Sequence, residues 1–576
     1  EAAFPGRTWA QARAWPSIAA GEHTLLCAPT GSGKTLAAFL WAIDRIGSAP
    51  SREAGGTRVV YLSPLRALAV DIEKNLRSPI RGIELAAQRV GGSFVAPSVG
   101  LRTGDTSPEE RRKMAKRPPD ILVTTPESLY LLLTSAARDG LASVETVIVD
   151  EIHALAPTKR GAHMALSLER LHTWVTAHGY PTPQRIGLSA TQRPLETVAD
   201  FLGGRDVDGA VSKPRPVRIV DAGITKELDL EVRVPVEDMA SLGTIVEEPQ
   251  AGAAAAGPQR RSIWPSMHPA LLELVEQHRS TLIFVNARRM AERLSSRLNE
   301  LHDEAIALKA EATDGTTGSL QPSRSDVVAA GAESIGTSNP DGVELVKAHH
   351  GSLSRERRLM IEDELKRGTL AGLVATSSLE LGIDMGAVDL VIQVASPGSV
   401  AAGLQRIGRA GHQVGVPSRG RIFPRHRADL LETAVVAERM HSGEIEHTKI
   451  VRNPLDVLAQ QLVATVALED VSVEGLYALA RGTANFAELS EVQFRNTLDL
   501  VSGRYPAEEF GGLSPRVVWD RTDDVVRARR GTQRIAVTSG GTIPDRGLFA
   551  VVLPDGTRVG ELDEEMVYES RVGETF

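Results

Sequence analysis

The chain has 576 residues, a hydrophobic fraction of 42%, a charged fraction of 24% and a formal net charge of −8. This length predicts several domains, and the ordinary composition excludes a disordered or fibrous chain. The single cysteine, Cys27, excludes an internal disulfide and favours a reducing cytoplasm, and no apolar run is long enough to predict a membrane span.

The first predicted unit is a parallel α/β lobe over residues 1–210. Continuous apolar runs alternate there with helical stretches, a pattern typical of buried strands in a parallel sheet. The predicted strands are Thr24–Cys27, Thr57–Ser63, Ile121–Thr125, Thr146–Val149 and Arg185–Ser189.

A phosphate-binding loop is predicted between the strand at Thr24–Cys27 and a helix at Leu36–Ile46. Its glycines let backbone N–H groups face a phosphate, and the helix N-terminus adds positive potential. We expect Lys34 to hold the β- and γ-phosphates of ATP and Thr35 to ligate Mg²⁺. The residues predicted to bind ATP here are Thr30, Gly31, Ser32, Gly33, Lys34 and Thr35.

Two carboxylates follow the buried strand at Thr146–Val149. Asp150 is expected in the Mg²⁺ shell, and Glu151 is expected to orient the attacking water or accept its proton. His153 is predicted to couple the nucleotide state to Ser189 and Thr191. The alternative is a surface histidine that its neighbours satisfy.

Residues 211–438 predict a second parallel α/β lobe of similar construction. Two stretches of mostly small residues, Ser241–Arg261 and residues 309–342, indicate surface insertions. The predicted strands are Thr281–Asn286, Leu345–His349, Gly372–Thr376 and Leu390–Val394.

Residues 439–514 predict a winged-helix-like domain of three short helices, the last of which opens on a capping box at Ser490–Gln493. Residues 515–576 predict the beginning of a β-rich domain with a hairpin turn at Asp555-Gly556. Its predicted strands are Val517–Trp519, Arg534–Val537 and Leu548–Leu553. Because the sequence starts at Glu1 without a methionine and stops mid-pattern at Phe576, we expect a piece of a longer protein.

The motif set resembles that of superfamily 2 helicases. The sequences DEIH at 150–153 and QRIGRAGH at 405–412 depart from the DEAD-box pattern, whereas SATQRP at 189–194 and SSLELGID at 377–384 resemble the bacterial large helicase-related family, Lhr. The resemblance covers nearly the whole chain. It implies an α/β fold of two tandem RecA-like lobes, followed by a winged-helix-like domain and a β-rich domain.

The resemblance also implies further nucleotide contacts. Gln11 would recognise the adenine edge with its amide. Arg409, with Arg406 beside it, would act catalytically by stabilising charge on the γ-phosphate. Gly382, Asp384 and Gln405 would complete the ATP site. The alternative for the arginines is a solvated basic face.

Loops from both lobes are expected to hold the phosphates of a nucleic-acid strand with little sequence preference. The predicted contacts are Pro64, Arg66, Thr103, Gly104, Thr124, Thr125, Asn286, Arg288, His350, Gly351, Thr376 and Ser377. Trp519, among C-terminal arginines, could stack on a base. The alternative for Trp519 is a core residue beside a solvated arginine face.

The function implied is an ATP- and Mg²⁺-dependent 3′-to-5′ translocase on single-stranded DNA. It would load on a 3′ tail, unwind duplexes or RNA:DNA hybrids as a monomer, and serve DNA repair in the bacterial cytoplasm. An RNA helicase with the same parts is one alternative, because these motifs touch the backbone and do not reveal a preference for the 2′-hydroxyl. An ATP-gated clamp with little unwinding is another.

Overall fold

A computed structural model describes most of the chain. The described residues are 6–29, 31–48, 55–209, 211–222, 227–242, 262–313, 344–350, 353–376, 379–380, 388–411, 416–504, 514–543, 548–553 and 558–563. Within them, no helix combines the length and apolar character that a membrane crossing requires.

The first lobe is a parallel sheet between helices. Its helices are α1 (Trp9–Ala19), α2 (Lys34–Gly47), α3 (Arg66–Arg89), α4 (Pro108–Lys116), α5 (Pro126–Leu133), α6 (Ile152–Leu155), α7 (Lys159–Ala177) and α8 (Leu195–Gly203). Its strands are β1 (His23–Cys27), β2 (Val59–Leu62), β3 (Val99–Arg102), β4 (Ile121–Thr124), β5 (Thr146–Val149), β6 (Gln184–Ser189), β7 (Arg205–Asp208), β8 (Val211–Pro214) and β9 (Val217–Asp221). The sheet order is β3-β4-β2-β5-β6-β1-β9, and β7 pairs with β8.

Alternate residues of these strands face two different helical layers. Leu25 and Leu62 belong to one buried cluster, which also holds residues of α5, α7 and α8. Leu26 and Tyr61 belong to a second, on the side of α1, α2 and α3. Burial on both faces explains why the strands appear in the sequence as continuous apolar runs.

The second lobe repeats this plan. Its helices are α9 (Trp264–Gln277), α10 (Arg288–Thr313), α11 (Arg355–Arg367), α12 (Val400–Ile407) and α13 (Arg427–Ser442). Its strands are β10 (Leu228–Val232), β11 (Thr281–Phe284), β12 (Val346–His349), β13 (Gly372–Ala375), β14 (Leu390–Val394) and β15 (Ser418–Phe423). They form a parallel sheet in the order β10-β15-β14-β11-β13-β12.

The C-terminal part is a winged-helix domain with a further hairpin. Its helices are α14 (Leu455–Thr465), α15 (Val473–Arg481), α16 (Glu491–Ser502) and α17 (Thr532–Thr538), and its strands are β16 (Val471–Ser472), β17 (Val517–Asp520), β18 (Val525–Ala528), β19 (Leu548–Val552) and β20 (Arg558–Asp563). The predicted capping box is present, since Ser490 and Gln493 cap the start of α16 in both directions.

Three expectations about boundaries differ from the structure. Strand β9 pairs with β1, so the first sheet extends to Asp221 rather than ending at residue 210. Strands β17 and β18 form one antiparallel sheet with β16, so packing crosses the expected boundary between 514 and 515. Helix α10 runs to Thr313, into the expected insertion at 309–342. Most of both expected insertions, and the turn at Asp555-Gly556, lie outside the described residues.

The predicted strand at Arg534–Val537 is wrong, because this segment belongs to α17. The helix buries Thr532 and Ala536, which are four residues apart and therefore share one helical face. Ala536 packs in a cluster with Tyr130 of the first lobe. Four residues of alternating polarity are too few to separate a strand from a short amphipathic helix.

The winged-helix domain is packed firmly against the first lobe. Ala162 and Leu166 of α7 belong to the same buried cluster as the core of the winged helix. Buried Gln461 of α14 donates hydrogen bonds to the carbonyl of His163 and to Ser167 Oγ, each at 3.0 Å. Its Oε1 accepts from Arg170 at 3.1 Å. These satisfied buried polar groups fix the orientation of the domain on α7.

Candidate nucleotide site and strand-binding loops

The loops that follow the first-lobe strands divide into two groups along the sheet edge. The neighbouring strands β5, β6 and β1 are followed by Asp150, the Ser-Ala-Thr loop and the phosphate loop. The neighbouring strands β2, β4 and β3 are followed by the predicted strand-binding residues of this lobe. Because ligands bind at the carboxyl edge of a parallel sheet, one edge presents two adjacent sites.

Two glycines of the phosphate loop adopt left-handed backbone angles, with φ of 81° at Gly31 and 79° at Gly33. Gly33 is the N-cap of α2 and supplies no side chain to its N–H groups. These groups therefore remain available to an anion. Space is also restricted, because a Cβ at Gly33 would lie 2.6 Å from Gln11 Nε2. Thr30 lies outside the described residues.

Lys34 lies between the ends of β1 and β6. Its Nζ donates to the carbonyl oxygens of Ala28 at 2.6 Å and Ser189 at 3.2 Å. A phosphate is a stronger acceptor than a neutral carbonyl, so an arriving nucleotide would draw the ammonium toward itself. The arrangement fits the predicted contact with the β- and γ-phosphates.

Gln11 is seated on the phosphate loop. It forms a capping box with Thr8, whose backbone N–H donates to Gln11 Oε1 at 2.9 Å. Its Nε2 lies 3.4 Å from the carbonyl oxygen of Gly33, and Thr8 Oγ1 donates to the carbonyl of Ser32 at 2.8 Å. The start of α1 and the phosphate loop are thus held together, while recognition of adenine stays a prediction.

Asp150 has the surroundings of a cation ligand. It is 5% exposed and accepts hydrogen bonds from Tyr61 Oη and, at 2.9 Å, from the backbone N–H of Glu151. Burial and the neighbouring Glu151 raise the pKa of Asp150 to about 7. A divalent cation would offset both effects, and Thr35, in the first turn of α2, supplies a second hard oxygen. The residues present therefore fit the predicted Mg²⁺ site.

Glu151 occupies a strained backbone position, with a φ of 44° that non-glycine residues rarely adopt. Burial opposes ionisation of its carboxylate, but three nearby groups outweigh this effect and lower its pKa, namely His153, Lys34 and Arg409. An ionised carboxylate held at this place is suited to orient water and accept its proton.

The structure brings His153 to the Ser-Ala-Thr loop. Its Nδ1 accepts from the backbone N–H of Ala190 at 3.2 Å and lies 3.5 Å from Ser189 Oγ. His153 is buried rather than at the surface. Burial lowers its pKa against the charge of Glu151. Thr191 is exposed, and the proposed coupling role of all three residues remains a prediction.

The two predicted catalytic arginines differ in their surroundings. Arg406 is buried within the second lobe, paired with Glu380 at 3.0 Å and donating to Gln393 Oε1 at 3.0 Å. It also donates to Asn286 Oδ1 at 3.2 Å. This geometry engages Arg406 within the interior of its lobe, and its catalytic role stays a prediction.

Arg409 is held differently. It donates to the carbonyl oxygen of Glu380 at 2.6 Å, and its charge contributes to the low pKa of Glu151 on the other lobe. The two side chains thus interact electrostatically, and the catalytic role of Arg409 stays a prediction. Gln405 is half-buried on α12. Gly382, Asp384 and His412 lie outside the described residues.

In the first lobe, the structure brings Arg66 and Gly104 together. Arg66 pairs with Asp105 at 2.7 Å, and a Cβ at Gly104 would lie 2.7 Å from Arg66 Nη2. The carbonyls of Thr103 and Gly104 accept from Arg111 at 3.2 Å and 2.8 Å. An exposed guanidinium close to a glycine loop is suited to a phosphate contact.

Thr124 and Thr125 do not present hydroxyls to a strand. Both are buried, and Thr124 Oγ1 donates to the carbonyl of Arg102 at 2.6 Å, while Thr125 Oγ1 lies 3.3 Å from Ser128 Oγ. The carbonyl of Pro64 accepts from Arg160 at 2.5 Å. The hydroxyls of the two threonines therefore support the loop itself, and the predicted contact of these residues with a strand stays a prediction.

The second-lobe loops follow β11, β12 and β13. His350 Nε2 lies 2.5 Å from Glu292 Oε1, and Asn286 Nδ2 donates to the carbonyl of Ser396 at 2.9 Å. The amide of Asn286 is thus engaged within its own lobe. Arg288 is exposed at the start of α10 and Thr376 directly follows β13. Gly351 and Ser377 lie outside the described residues.

Trp519 is engaged within the wing. Its Nε1 donates to Asp524 at 3.0 Å, and the guanidinium of Arg521 lies 3.9 Å from its ring centroid. Its other contacts are with the winged-helix core. This packing favours the alternative of a tryptophan of the domain core beside arginine, and base stacking by Trp519 stays a prediction.

Three residues that support the site escaped the sequence analysis. Tyr61 holds Asp150, while Glu380 and Gln393 hold the arginines of the second lobe. Tyr61 lies in a continuous apolar strand, so the sequence indicates only a position in the core and gives no sign of its contact with Asp150. Glu380 lies inside the SSLELGID segment, so its place in that motif was a usable signal.

Comparison with known families matches the chain in the order of its domains. Residues 8–201 match the DEAD/DEAH box helicase family, and residues 341–413 match the helicase conserved C-terminal domain. Residues 438–576 match the winged helix domain of the large helicase-related protein, which spans both predicted C-terminal segments.

Relatives match over the whole chain. It is 52% identical over 100% of its length to the Lhr helicase/probable uracil glycosylase of Mycolicibacterium smegmatis, of which it covers 36%. It is 36% identical over 98% of its length to the ATP-dependent helicase Lhr-Core of Saccharolobus solfataricus, of which it covers 58%. The chain therefore spans only part of the length of these relatives.

A solved structure of the Mycobacterium smegmatis helicase Lhr bound to ssDNA and AMP-PNP gives a TM-score of 0.79 at 50% identity, covering 100% of this chain and 65% of that chain. A DUF1998 helicase, MrfA, bound to DNA and AMPPNP shares the fold with a TM-score of 0.61 at 21% identity, covering 90% of this chain and 59% of that chain. With two RecA-like lobes, an Lhr-type winged helix and relatives that match from end to end, the chain belongs to the Lhr family of superfamily 2 helicases.

Proposed function

We propose that the chain is an ATP-dependent motor that moves 3′ to 5′ on single-stranded DNA and unwinds DNA duplexes or RNA:DNA hybrids. The observation that carries the proposal is the grouping of Lys34, Asp150 and Glu151 at the carboxyl edge of the first sheet, beside loops that suit a phosphate backbone. The relative solved with ssDNA and AMP-PNP supports the same two ligands here. Direction, hybrid substrates and a role in DNA repair follow from the Lhr resemblance.

The proposed chemistry assigns one task to each residue. Lys34 and the N–H groups at the start of α2 bind the phosphates, and Gln11 binds adenine. Thr35 and Asp150 would hold Mg²⁺, which would neutralise charge on the phosphates. Glu151 orients the attacking water, and Arg409 stabilises charge on the γ-phosphate in the transition state.

The proposed strand path crosses both lobes. Arg66 and the Thr103-Gly104 loop contact phosphates from the first lobe, and Arg288, His350 and Thr376 contact them from the second. Such contacts position a strand without selecting its sequence. We further propose that the motor acts as a monomer in the bacterial cytoplasm.

The test is steady-state ATP hydrolysis with no nucleic acid, with single-stranded DNA, and with RNA of matched sequence. We expect strong stimulation by DNA and much weaker stimulation by RNA. Equal or better stimulation by RNA would instead identify an RNA helicase, and strong DNA binding without turnover would identify a clamp. Duplexes and RNA:DNA hybrids with a 3′ or a 5′ tail then decide direction, since only those with a 3′ tail should be unwound.

A further inference from the structure

A short segment that leaves the second lobe is anchored in the cores of both lobes. This segment, residues 445–450, follows α13 and is called the strap here. Ile445 belongs to the buried cluster of the second lobe that includes Ile407 and Met440. Ile450 belongs to a buried cluster of the first lobe that includes Leu195 and Val198. Because an extended chain spans at most ~3.6 Å per residue, the two anchors are at most about 18 Å apart.

The strap caps the helix that leads to Arg409. Glu446 Oε1 accepts from the backbone N–H of Val400 at 2.6 Å, and Glu446 Oε2 accepts from that of Ala401 at 3.2 Å. A carboxylate at this end of α12 satisfies otherwise unbonded donors and interacts favourably with the helix dipole. Helix α12 ends at Ile407, two residues before Arg409.

The next residues of the strap contact the Ser-Ala-Thr loop. The backbone N–H of Thr448 donates to the carbonyl of Arg193 at 2.6 Å, and Thr448 Oγ1 donates to Gln192 Oε1 at 2.5 Å. His447 forms a parallel β-bridge with Arg193. Gln192 is buried and directly follows Thr191. Arg193 is itself tied to Asp221 at the end of β9, at 3.2 Å.

We propose that the strap couples the Ser-Ala-Thr loop of the first lobe to α12 of the second, and that Glu446 is a positioning residue for Arg409. The proposal rests on the ATPase function proposed above and adds a contact that none of its motifs contains. Displacing a group that acts in the transition state lowers turnover more than it weakens substrate binding. Loss of the Glu446 cap should therefore reduce kcat while leaving the KM for ATP nearly unchanged.

The experiment compares Glu446→Ala and Glu446→Gln with the matched control Glu444→Ala. Glu444 precedes the strap, its side chain is 68% exposed and its ion pair with Arg439 is long, at 3.9 Å. Each variant of the chain is assayed for DNA-stimulated kcat, the KM for ATP, single-stranded DNA affinity and Tm. We expect Glu446→Ala to lower kcat by about 10-fold, Glu446→Gln to lower it less because one amide oxygen still accepts, and Glu444→Ala to match the wild type.

A double-mutant cycle tests whether Glu446 acts through Arg409. In an Arg409→Ala background, the Glu446→Ala change should lower kcat by less than about two-fold. A full additional loss in that background would overturn the proposal, as would an unchanged kcat in Glu446→Ala alone. A fall in Tm that Glu446→Gln does not rescue would assign Glu446 to stability only.

Hydrogen exchange separates failure of the strap from failure of the proposed function. The amides of Val400 and Ala401 should exchange faster in Glu446→Ala than in the wild type or in Glu444→Ala, without nucleotide or DNA. Unchanged exchange would overturn the proposal whatever the ATPase assay shows. A wild type with no DNA-stimulated hydrolysis would refute the motor, and the exchange result would still decide whether Glu446 holds α12.

Discussion

At the scale of single residues, two adjacent carboxylates differ in their affinity for protons. Burial and the neighbouring carboxylate raise the pKa of Asp150 to about 7, whereas the pKa of Glu151 is lowered. Groups whose environments separate their pKa values in this way divide tasks between them. This difference supports the proposal that Asp150 holds a cation and that the ionised Glu151 orients the attacking water.

Loss of either Lys34 or the carboxylate of Glu151 should stop ATP hydrolysis. We expect Lys34→Ala and Glu151→Gln to lower DNA-stimulated ATP turnover at least about 100-fold, because one removes a phosphate contact and the other the water-orienting charge. Steady-state ATPase assays measure the effect, and Tm reports the fold. Lys74→Ala, an exposed change on α3, is the control. Undiminished hydrolysis in Lys34→Ala or Glu151→Gln would refute the site assignment.

Replacing Arg409 should impair catalysis, whereas replacing Arg406 should impair the stability of the second lobe. Arg409→Ala is expected to lower kcat about 1000-fold with little change in Tm, as for a transition-state arginine. Arg406→Ala should instead destabilise the second lobe by about 3 kcal/mol, because Glu380 would keep a largely buried, unpaired charge. Thermal unfolding and ATPase assays on both variants distinguish the roles. A stable, inactive Arg406→Ala would contradict this prediction and support a catalytic role for Arg406.

A phosphate contact by Arg66 should be visible in the salt dependence of DNA affinity. Arg66→Ala should weaken single-stranded DNA binding and reduce the slope of log K against log salt by about 0.7, the value for one lost phosphate contact. Fluorescence anisotropy across a salt series measures it. Arg77→Ala, on the same helix and paired with Glu73, is the matched control. If the wild type, Arg66→Ala and Arg77→Ala gave equal slopes of log K against log salt, Arg66 would not contact a phosphate of the strand.

At the scale of elements, the packing of α7 against α14 contains a pH-sensitive group. His163 is 1% exposed and lies against the Tyr130 ring at 4.7 Å. Burial lowers the pKa of His163 to about 4, with Arg170 and Arg160 adding to the effect and Glu127 opposing it. The unfolded chain therefore binds a proton at a higher pH than the folded chain.

The sign of the resulting pH dependence follows directly. The folded state should lose stability as the pH falls from above about 6.5 toward 4, by about 3 kcal/mol from this residue alone. Denaturant unfolding of the wild type and His163→Leu at several pH values measures it, and His163→Leu should show the smaller loss on acidification. His178→Ala, an exposed change at the end of α7, is the control. Parallel curves for all three would contradict the prediction.

Elements buried on both faces could be predicted from the sequence, and elements defined by packing between domains could not. Strands β4 and β5 lie within one residue of their predictions because a continuous apolar run has few other uses in a parallel sheet. Helix α17 was predicted as a strand because its burial depends on Tyr130, about four hundred residues earlier in the chain. The partners of Arg406 could not be predicted either, because Asn286 and Glu380 are distant in the sequence. The phosphate loop could be predicted, because its residues are contiguous in the sequence.

At the scale of the whole molecule, the first lobe and the winged helix share buried clusters, among them one with Ala162 and Leu166 and one with Tyr130. Contacts between the two lobes include single side chains of α3, with Ala67 packed against the core of the second lobe. Another such contact is the ion pair of Asp71 with Lys366 at 3.3 Å. Domains joined by a large apolar interface move together, and smaller polar interfaces permit relative motion. Lobe closure should therefore carry the winged helix along with the first lobe.

Fluorescence distances test this division. Dyes on His178→Cys and Val492→Cys report the first lobe against the winged helix, and dyes on His178→Cys and Met360→Cys report the two lobes. The native Cys27 is buried, and burial raises its thiol pKa to about 12, so labelling should favour the added cysteines. With an ATP analogue and DNA, the first distance should stay constant and the second should change. A change in the first distance would refute the rigid pairing.

The hydrogen bond between Tyr61 and Asp150 joins the two halves of the first sheet. Tyr61 lies on β2, three residues before Pro64 in the loop that follows this strand, and Asp150 directly follows the adjacent β5. The candidate nucleotide site and the first predicted strand-binding loop are thus connected by a side-chain contact in addition to the backbone pairing of these neighbouring strands. A change of charge at Asp150 would act directly on Tyr61, three residues before the predicted strand-binding residue Pro64, so we expect ATP hydrolysis and the hold on the strand to influence each other through β2.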